Sequence, residues 1–463
     1  MDFVAARIAE AAGGRLVAGD PDAAGPRRAV VDSRAIEPGD LFVGLPGVNV
    51  DGGEFAQRAL NARAWGVLVG DAHAHAAAVH AAADASAATG RATAGSPAVI
   101  AVADPLAALQ SLAREWRRAL DCPVIGVTGS TGKTSTKDIL SALLRPHLRT
   151  HANKENLNTE IGLPLSILEA ESGTEVLVLE MAMRGEGQIA ELVAIAEPTV
   201  GVIVNVGPVH LELLGTIERV AATKAELIRD LPAGATCVVP QGEELLTQHL
   251  RDDLNTVTFG DGGDVQLVSF EDGVAIISAQ AEPVTLELPF SESYNLKNTL
   301  AAVAAARAVG VEPSGPVDVQ FSSLRGELVE LDGEVAIVND CYNANPMSMR
   351  AALDHLAEAP AQRRIAVLGW MAELGPDAER FHREIGEHAR TRGIDVLVAV
   401  GADAARLYGD GFGNVESVET PEAAGAWLER EAKPGDRVLI KGSRSAGLER
   451  VLGDRTRAGG AAA

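Results

Sequence analysis

A glycine-rich run that ends in a lysine and a threonine, Gly126-Val-Thr-Gly-Ser-Thr-Gly-Lys133-Thr134, has the residue types that hold a polyphosphate. Gly129 and Gly132 let the backbone curl so that N–H groups across Ser130 and Thr131 can converge on phosphate oxygens. The helix that follows adds the positive end of its dipole. Lys133 is long enough to reach the β- and γ-phosphates, and the Thr134 hydroxyl is placed to ligate Mg²⁺. The competing reading is a strand–helix turn that binds no nucleotide. Context disfavours it: the apolar strand Val124-Ile-Gly-Val127 precedes the run, and a helix with Ile139, Leu140, Leu143 and Leu144 on one face follows.

Two further groups could work beside such a loop. Glu180 ends the apolar run Val176-Leu-Val-Leu179, and His210 lies just past another that ends at Val206. In a parallel sheet both fall at the carboxyl edge, where ligands bind, and a carboxylate with a neutral imidazole there suits a second metal ion. Lys224 is more unusual. Ile217, Ala221, Lys224 and Ile228 share one stripe of a helix, so a lysine stands where the pattern calls for an apolar residue. Either its stem is buried and its ammonium reaches solvent, or its amine is desolvated, partly neutral and able to take up CO₂ as a carbamate.

These groups need a scaffold, and the chain has the material for one. Its 463 residues suggest about three domains. Hydrophobic residues make up 47% but aromatics only 3%, so the cores must be aliphatic. Forty basic against 64 acidic side chains leave a formal charge of −24, which argues against a duplex-wrapping protein or one that binds anionic membranes. Cys122, Cys237 and Cys341 are too few and too scattered for a disulfide framework or a zinc cluster. No basic leader or membrane-length apolar run is visible, so a soluble cytoplasmic protein is expected.

Residues 1–102 read as a small α/β domain that closes on an Ala-rich segment holding His73, His75 and His80. That segment is expected to be an exposed helix and loop rather than a metal site. Residues 103–324 alternate helix and strand in the manner of a doubly wound parallel sheet, with shorter, antiparallel strands expected between 236 and 290. Residues 325–463 read as a second, Rossmann-type sheet, with helices near 347–358, 379–391 and 421–431.

The motifs together resemble the Mur ligase superfamily over essentially the full length. Besides the loop they are Asn156-Leu-Asn158-Thr-Glu160-Ile-Gly-Leu-Pro, Glu180-Met-Ala-Met-Arg-Gly, Lys224-Ala-Glu226, Asp340-Cys-Tyr342-Asn343-Ala-Asn345-Pro, Leu368-Gly-Trp-Met-Ala-Glu-Leu-Gly375 and Lys441-Gly-Ser443-Arg444. The Tyr-Asn-Ala-Asn-Pro run followed by Ser348-Met-Arg350 is most similar to the branch that adds D-alanyl-D-alanine to UDP-N-acetylmuramoyl-tripeptide. The resemblance implies a monomeric, ATP-dependent ligase that works through an acyl phosphate. Lys133 and Thr134 would hold ATP and a first Mg²⁺, while Glu180, His210 and a carbamylated Lys224 would organise a second. Asn298, Arg325 and Asp340 would complete the ATP site. Asn156, Asn158, Glu160, Tyr342, Asn343, Asn345, Lys441 and Ser443 would face the acceptor and the dipeptide, and Ser33 and Arg34 the uridine end.

The sequence departs from the family's usual residues at Gly53, Ala182, Tyr294, Asn339 and Trp370, none of them an expected metal or phosphate ligand. Rival readings are the sibling ligase that adds the third amino acid, a folylpolyglutamate synthetase, and a nucleotide switch or phosphotransferase that uses the loop alone. The Asp-Asn-Pro-Arg run of the third-residue ligase is missing. The presence of Glu180, His210, Lys224 and Asp340 together argues against an inactive module.

Overall fold

The computed structural model describes residues 1–87, 96–154, 156–279, 282–331 and 334–453. Three sheets organise them. The first has five strands in the spatial order Arg15–Ala18, Ala98–Val102, Gly66–Gly70, Leu41–Val43 and Ala29–Val30. All its pairings are parallel except that of Arg15–Ala18. The Ala-rich segment forms the helix Asp71–Ala87, which is not the exposed helix expected, since Ala74, Ala77 and Ala81 are buried in the core beside the first sheet. The expected loop after it falls largely on 88–95, outside the described residues. The helix's histidines are not gathered: His73 Nε2 lies 2.9 Å from Asp51 Oδ2 and His80 Nε2 lies 2.9 Å from Asn61 Oδ1.

The second sheet has ten strands. Val124–Thr128, which leads into the glycine-rich loop, lies between Val176–Glu180 and Val200–Ile203 and runs parallel to both. Val124–Thr128 and Val176–Glu180 are buried at every position, as expected of strands covered by helices on both faces. The chain therefore leaves the centre in opposite directions around the loop strand, and this switch point places a crevice at the carboxyl ends.

The expectation of antiparallel strands between 236 and 290 needs correction. Thr236–Pro240 and Asn255–Phe259 extend the parallel sheet. Only the pairings among Val265–Glu271, Val274–Ala279 and Val284–Glu287 are antiparallel. Short apolar runs do not reveal their direction; the connections between them do. The helix Glu244–Thr247 sits between the two parallel strands as their crossover, whereas Asp272-Gly273 makes a tight hairpin.

The third sheet has the order Glu327–Leu331, Val335–Asn339, Asp436–Lys441, Arg363–Leu368, Val396–Val400 and Glu416–Val418. Its first pairing is antiparallel and the rest are parallel. The helix Ala402–Phe412 lies outside the three helices expected in this region. Within it Gly411 permits a close crossing, since a Cβ there would lie 2.0 Å from the Arg383 carbonyl oxygen.

A second close approach positions the chemistry. Gly126 and Gly201 face each other across adjacent strands. A Cβ on Gly201 would lie 3.0 Å from Leu227 Cγ, and one on Gly126 3.5 Å from Leu227 Cδ1. The two glycines make a low floor on which the helix Ile217–Asp230, carrying Lys224, settles against the sheet. Gly201→Val should therefore overpack this contact and cost about 1–3 kcal/mol in chemical denaturation. It should also lower turnover in the folded fraction by lifting Lys224. Unchanged stability and rate would show that the floor is not needed.

Candidate active site

The glycine-rich loop is held open by its neighbours. Gly132 has φ +76°, a left-handed conformation that glycine adopts without strain. A Cβ there would also lie 2.6 Å from Asn298 Oδ1, so the helix Ser293–Ala308 presses Asn298 onto the loop. Asn205, just past the strand Val200–Ile203, accepts from the N–H groups of Ser130 (3.1 Å) and Thr131 (3.0 Å) through one oxygen, so these two donors, expected to converge on phosphate, are turned onto Asn205 instead. Its amide donates back to the Thr131 carbonyl at 3.1 Å. Ser130 Oγ accepts from Gly207 N–H at 2.8 Å. Lys133 Nζ donates to the Gly129 carbonyl at 2.7 Å, so the ammonium folds back over the loop.

Glu180 is buried at the carboxyl end of its strand. Thr134 Oγ1 donates to its Oε2 at 2.7 Å and Asn158 Nδ2 donates to its Oε1 at 2.8 Å. Asn153 fixes the backbone beneath, accepting from Glu180 N–H at 2.8 Å and donating to the Glu180 carbonyl at 3.0 Å. The hydroxyl and the carboxylate are thus adjacent hard oxygen donors at the loop. Among the described residues no group of three or more His, Cys, Asp or Glu gathers as a metal cluster. This donor set suits Mg²⁺, which takes one or two protein oxygens and completes its shell with water and phosphate.

The remaining charge is mostly positive. Lys224 is only 2% exposed, which rules out the reading in which its ammonium reaches solvent. Burial pushes its amine well below the usual lysine range, and the Lys133 cation pushes it further. Lys133 is itself lowered by burial, opposed by Glu180 and reinforced by Arg325. Burial pushes His210 down to about 4, against the pull of Glu373 and with the push of Lys133 and Lys224, so the imidazole is neutral near pH 7. Lys133, Lys224, His210, Glu180 and Arg325 therefore form one electrostatic group drawn from two sheets.

The third sheet faces this group. Arg325 stacks over the Tyr342 ring at 4.2 Å. Lys441, almost wholly buried, donates to Asp340 Oδ2 at 2.5 Å and to the Asn343 carbonyl at 3.1 Å. Asn345 caps the helix Pro346–Glu358, accepting from Ser348 N–H at 2.9 Å, and Ser443 Oγ accepts from Ala372 N–H at 2.9 Å. Asn345 and Ser443 thus also shape their loops.

Asn156 is exposed, and the Glu160 carbonyl accepts from Gln110. Ser33 and Arg34 lie beyond the first sheet's strand Ala29–Val30, where Arg34 forks onto Asp32. Asn205, Asn153 and Glu373 were missed by sequence reasoning. Asn205 carried a signal in being polar directly after an apolar run at the edge that bears Glu180; Glu373 stands in the Leu368–Gly375 motif, but nothing in the sequence pointed to its meeting His210.

Residues 30–117, 127–306 and 324–444 match, in turn, the Mur ligase family catalytic domain, the Mur ligase middle domain, and the Mur ligase glutamate ligase domain. A UDP-N-acetylmuramoyl-tripeptide–D-alanyl-D-alanine ligase of Synechocystis is 35% identical, covering 91% of this chain and 90% of its own. The chain belongs to the Mur ligase family. A Bacillus subtilis ligase of the same name is 33% identical over 91% of this chain and 92% of its own. Among solved structures, MurF from Acinetobacter baumannii superposes with a TM-score of 0.82 at 26% identity, covering 99% of both chains. MurF from Thermotoga maritima, in complex with ADP, gives 0.76 at 33% identity, covering 92% of this chain and 96% of that one.

Several departures from the usual Mur ligase residues have a local physical account. At Gly53 a Cβ would lie 2.2 Å from the His73 ring, so glycine makes room for that imidazole. Trp370 stacks on the buried His382 with ring centres 4.0 Å apart. Tyr294 meets His355 edge-on at 6.4 Å. Asn339 is fully buried, and nothing in the structure explains its replacing an acid.

Asn205→Ala removes the acceptor that aligns two loop N–H groups. ADP affinity, read by calorimetry, should fall roughly tenfold, in line with about 1 kcal/mol for a hydrogen bond and some loss of loop order. The melting temperature should stay within a few degrees. Unchanged affinity would show that the loop keeps its shape without Asn205.

Proposed function

We propose that this chain is an ATP-dependent ligase that joins D-alanyl-D-alanine to the terminal carboxylate of UDP-N-acetylmuramoyl-tripeptide, a step in peptidoglycan precursor synthesis. The carrying observation is that ligases of that name match the chain nearly end to end, at 35% and 33% identity. In this reading residues 1–102 take the uridine end with Ser33 and Arg34, residues 103–324 take ATP, and residues 325–463 bring the dipeptide. No helix among the described residues is long and apolar enough to cross a membrane; in this reading the enzyme works in the cytoplasm.

A carboxylate is a poor acceptor for an amine. The γ-phosphoryl group therefore passes from ATP to a carboxylate oxygen of the tripeptide, and ADP is released. The dipeptide's neutral amine attacks the acyl carbon, the C–O bond to phosphate breaks, and the nitrogen loses a proton to solvent. Gly129, Ser130, Thr131 and Gly132 cradle the phosphates. Lys133 offsets the negative charge that builds between phosphate and carboxylate. Asn298, Arg325 and Asp340 hold the nucleotide from two sides. Asn156, Asn158 and Glu160 bound the acceptor side, and Tyr342, Asn343, Asn345, Lys441 and Ser443 the dipeptide side. Thr134, Glu180, His210 and Lys224 would hold two Mg²⁺ ions, which supply charge neutralisation between the reacting anions.

Burial favours the uncharged form of the Lys224 amine, which suits it to a covalent change. Its nitrogen lone pair would add to CO₂ and a proton would be lost, leaving an N-carboxylate where an uncharged amine stood. This carbamate would offer oxygens to magnesium and relieve the crowding of cations.

Release of phosphate should require ATP, the UDP-tripeptide and D-Ala-D-Ala together, and Lys133→Ala should abolish it in a protein that remains folded. Turnover of ATP independent of both acceptors would favour a nucleotide switch instead. Lys224→Ala should lose nearly all ligase activity while still binding ADP, and acetate or formate should restore part of it. Lys224→Arg should stay inactive, since guanidinium cannot be carbamylated. An active Arg variant would end the carbamate reading.

A further inference from the structure

Glu373 belongs to the third sheet's side of the crevice, on the loop after the strand Arg363–Leu368, yet its carboxylate ends on the second sheet's histidine. His210 Nδ1 lies 2.5 Å from Glu373 Oε2, and the other oxygen is 3.5 Å from Arg184 Nε. Both backbones are bent to make the contact: His210 has φ +54° and Glu373 φ +62°. The two segments are also joined main chain to main chain, since Glu212 N–H donates to the Glu373 carbonyl at 3.3 Å. A Cβ on Gly375 would lie 3.1 Å from Glu212 Cα, so the approach is as close as glycine allows.

A carboxylate at hydrogen-bond distance requires the proton on Nδ1, which leaves the lone pair on Nε2. It also fixes the plane of the ring. Carboxylates that back a metal-binding imidazole in this way commonly change metal affinity by 10- to 100-fold.

We propose that Glu373 is a positioning residue for the magnesium site. By holding His210 in one tautomer and one orientation, it makes completion of that site depend on the docking of the third sheet's loop. The inference rests on the reading of His210 as a metal ligand. Chemically, the contact would link two events that must coincide: ATP should not be spent on the carboxylate until the part that brings the amine is in place, because water would otherwise consume the acyl phosphate.

The test measures Mn²⁺ binding by electron paramagnetic resonance to the full-length chain with saturating ADP. Wild type should bind two ions per chain. Glu373→Ala should weaken one of them 10- to 100-fold and leave the other, and ADP affinity, unchanged. Glu373→Gln, which can orient the ring but carries no charge, should fall between. His210→Ala should weaken the same ion, and adding Glu373→Ala to it should weaken it no further, because Glu373 acts only through His210. Equal affinities in wild type and Glu373→Ala, or an equal further loss in the His210→Ala background, would overturn the inference alone. A single ion bound by wild type would instead overturn the two-ion reading on which it rests.

Discussion

The site is built around an excess of positive charge that the protein does not neutralise. Arg325 acts on Lys133 and Lys133 on Lys224 where burial already works against their charge, with Glu180 as the carboxylate that opposes the lowering of Lys133. Buried ammonium groups are costly unless paired; burial lowers both lysines, Arg325 lowers Lys133 further, and Lys133 lowers Lys224 further. Amines lowered in this way give up their charge more readily than free lysines, and a polyanion entering the crevice would favour the charged forms. The acidic body of the chain and the cationic crevice are therefore complementary facts: repulsion at the surface and attraction at one place.

The fold keeps these cations together at the expense of ordinary packing. Two facing strand glycines let the helix of Lys224 come down onto the sheet, and Gly132 lets Asn298 close on the loop. The crossed asparagines Asn153 and Asn205 satisfy backbone groups at the strand ends, where no ladder partner remains. The third sheet adds Arg325 and Glu373 to the same crevice. The chemistry is thus divided between two bodies that must meet.

Much of this was legible in the sequence because it is local. The loop, the strand before it and the helix after it are contiguous, and Glu180 could be placed by the rule that ligands gather at carboxyl edges. Lys224 stood out because it broke a helical stripe, although the pattern alone could not say whether its amine was wet or dry. Burial decided that. What was not legible depended on distance in sequence: Glu373 meets His210 across 163 positions, and the strands Thr236–Pro240 and Asn255–Phe259 took their parallel direction from a crossover helix too short to read. The helix Ala402–Phe412 was not legible either, because a glycine such as Gly411 that lets two helices touch looks in one dimension like one that breaks a helix.

The proposed role of Lys224 requires its buried amine to take up CO₂ and become a carboxylate. The most direct measurement is carbon-13 NMR of the protein equilibrated with labelled bicarbonate. A protein-bound carbamate resonance should appear, persist in Lys133→Arg, and vanish in Lys224→Arg. A spectrum with no bound carbon at neutral pH, or with one that survives Lys224→Arg, would contradict the account.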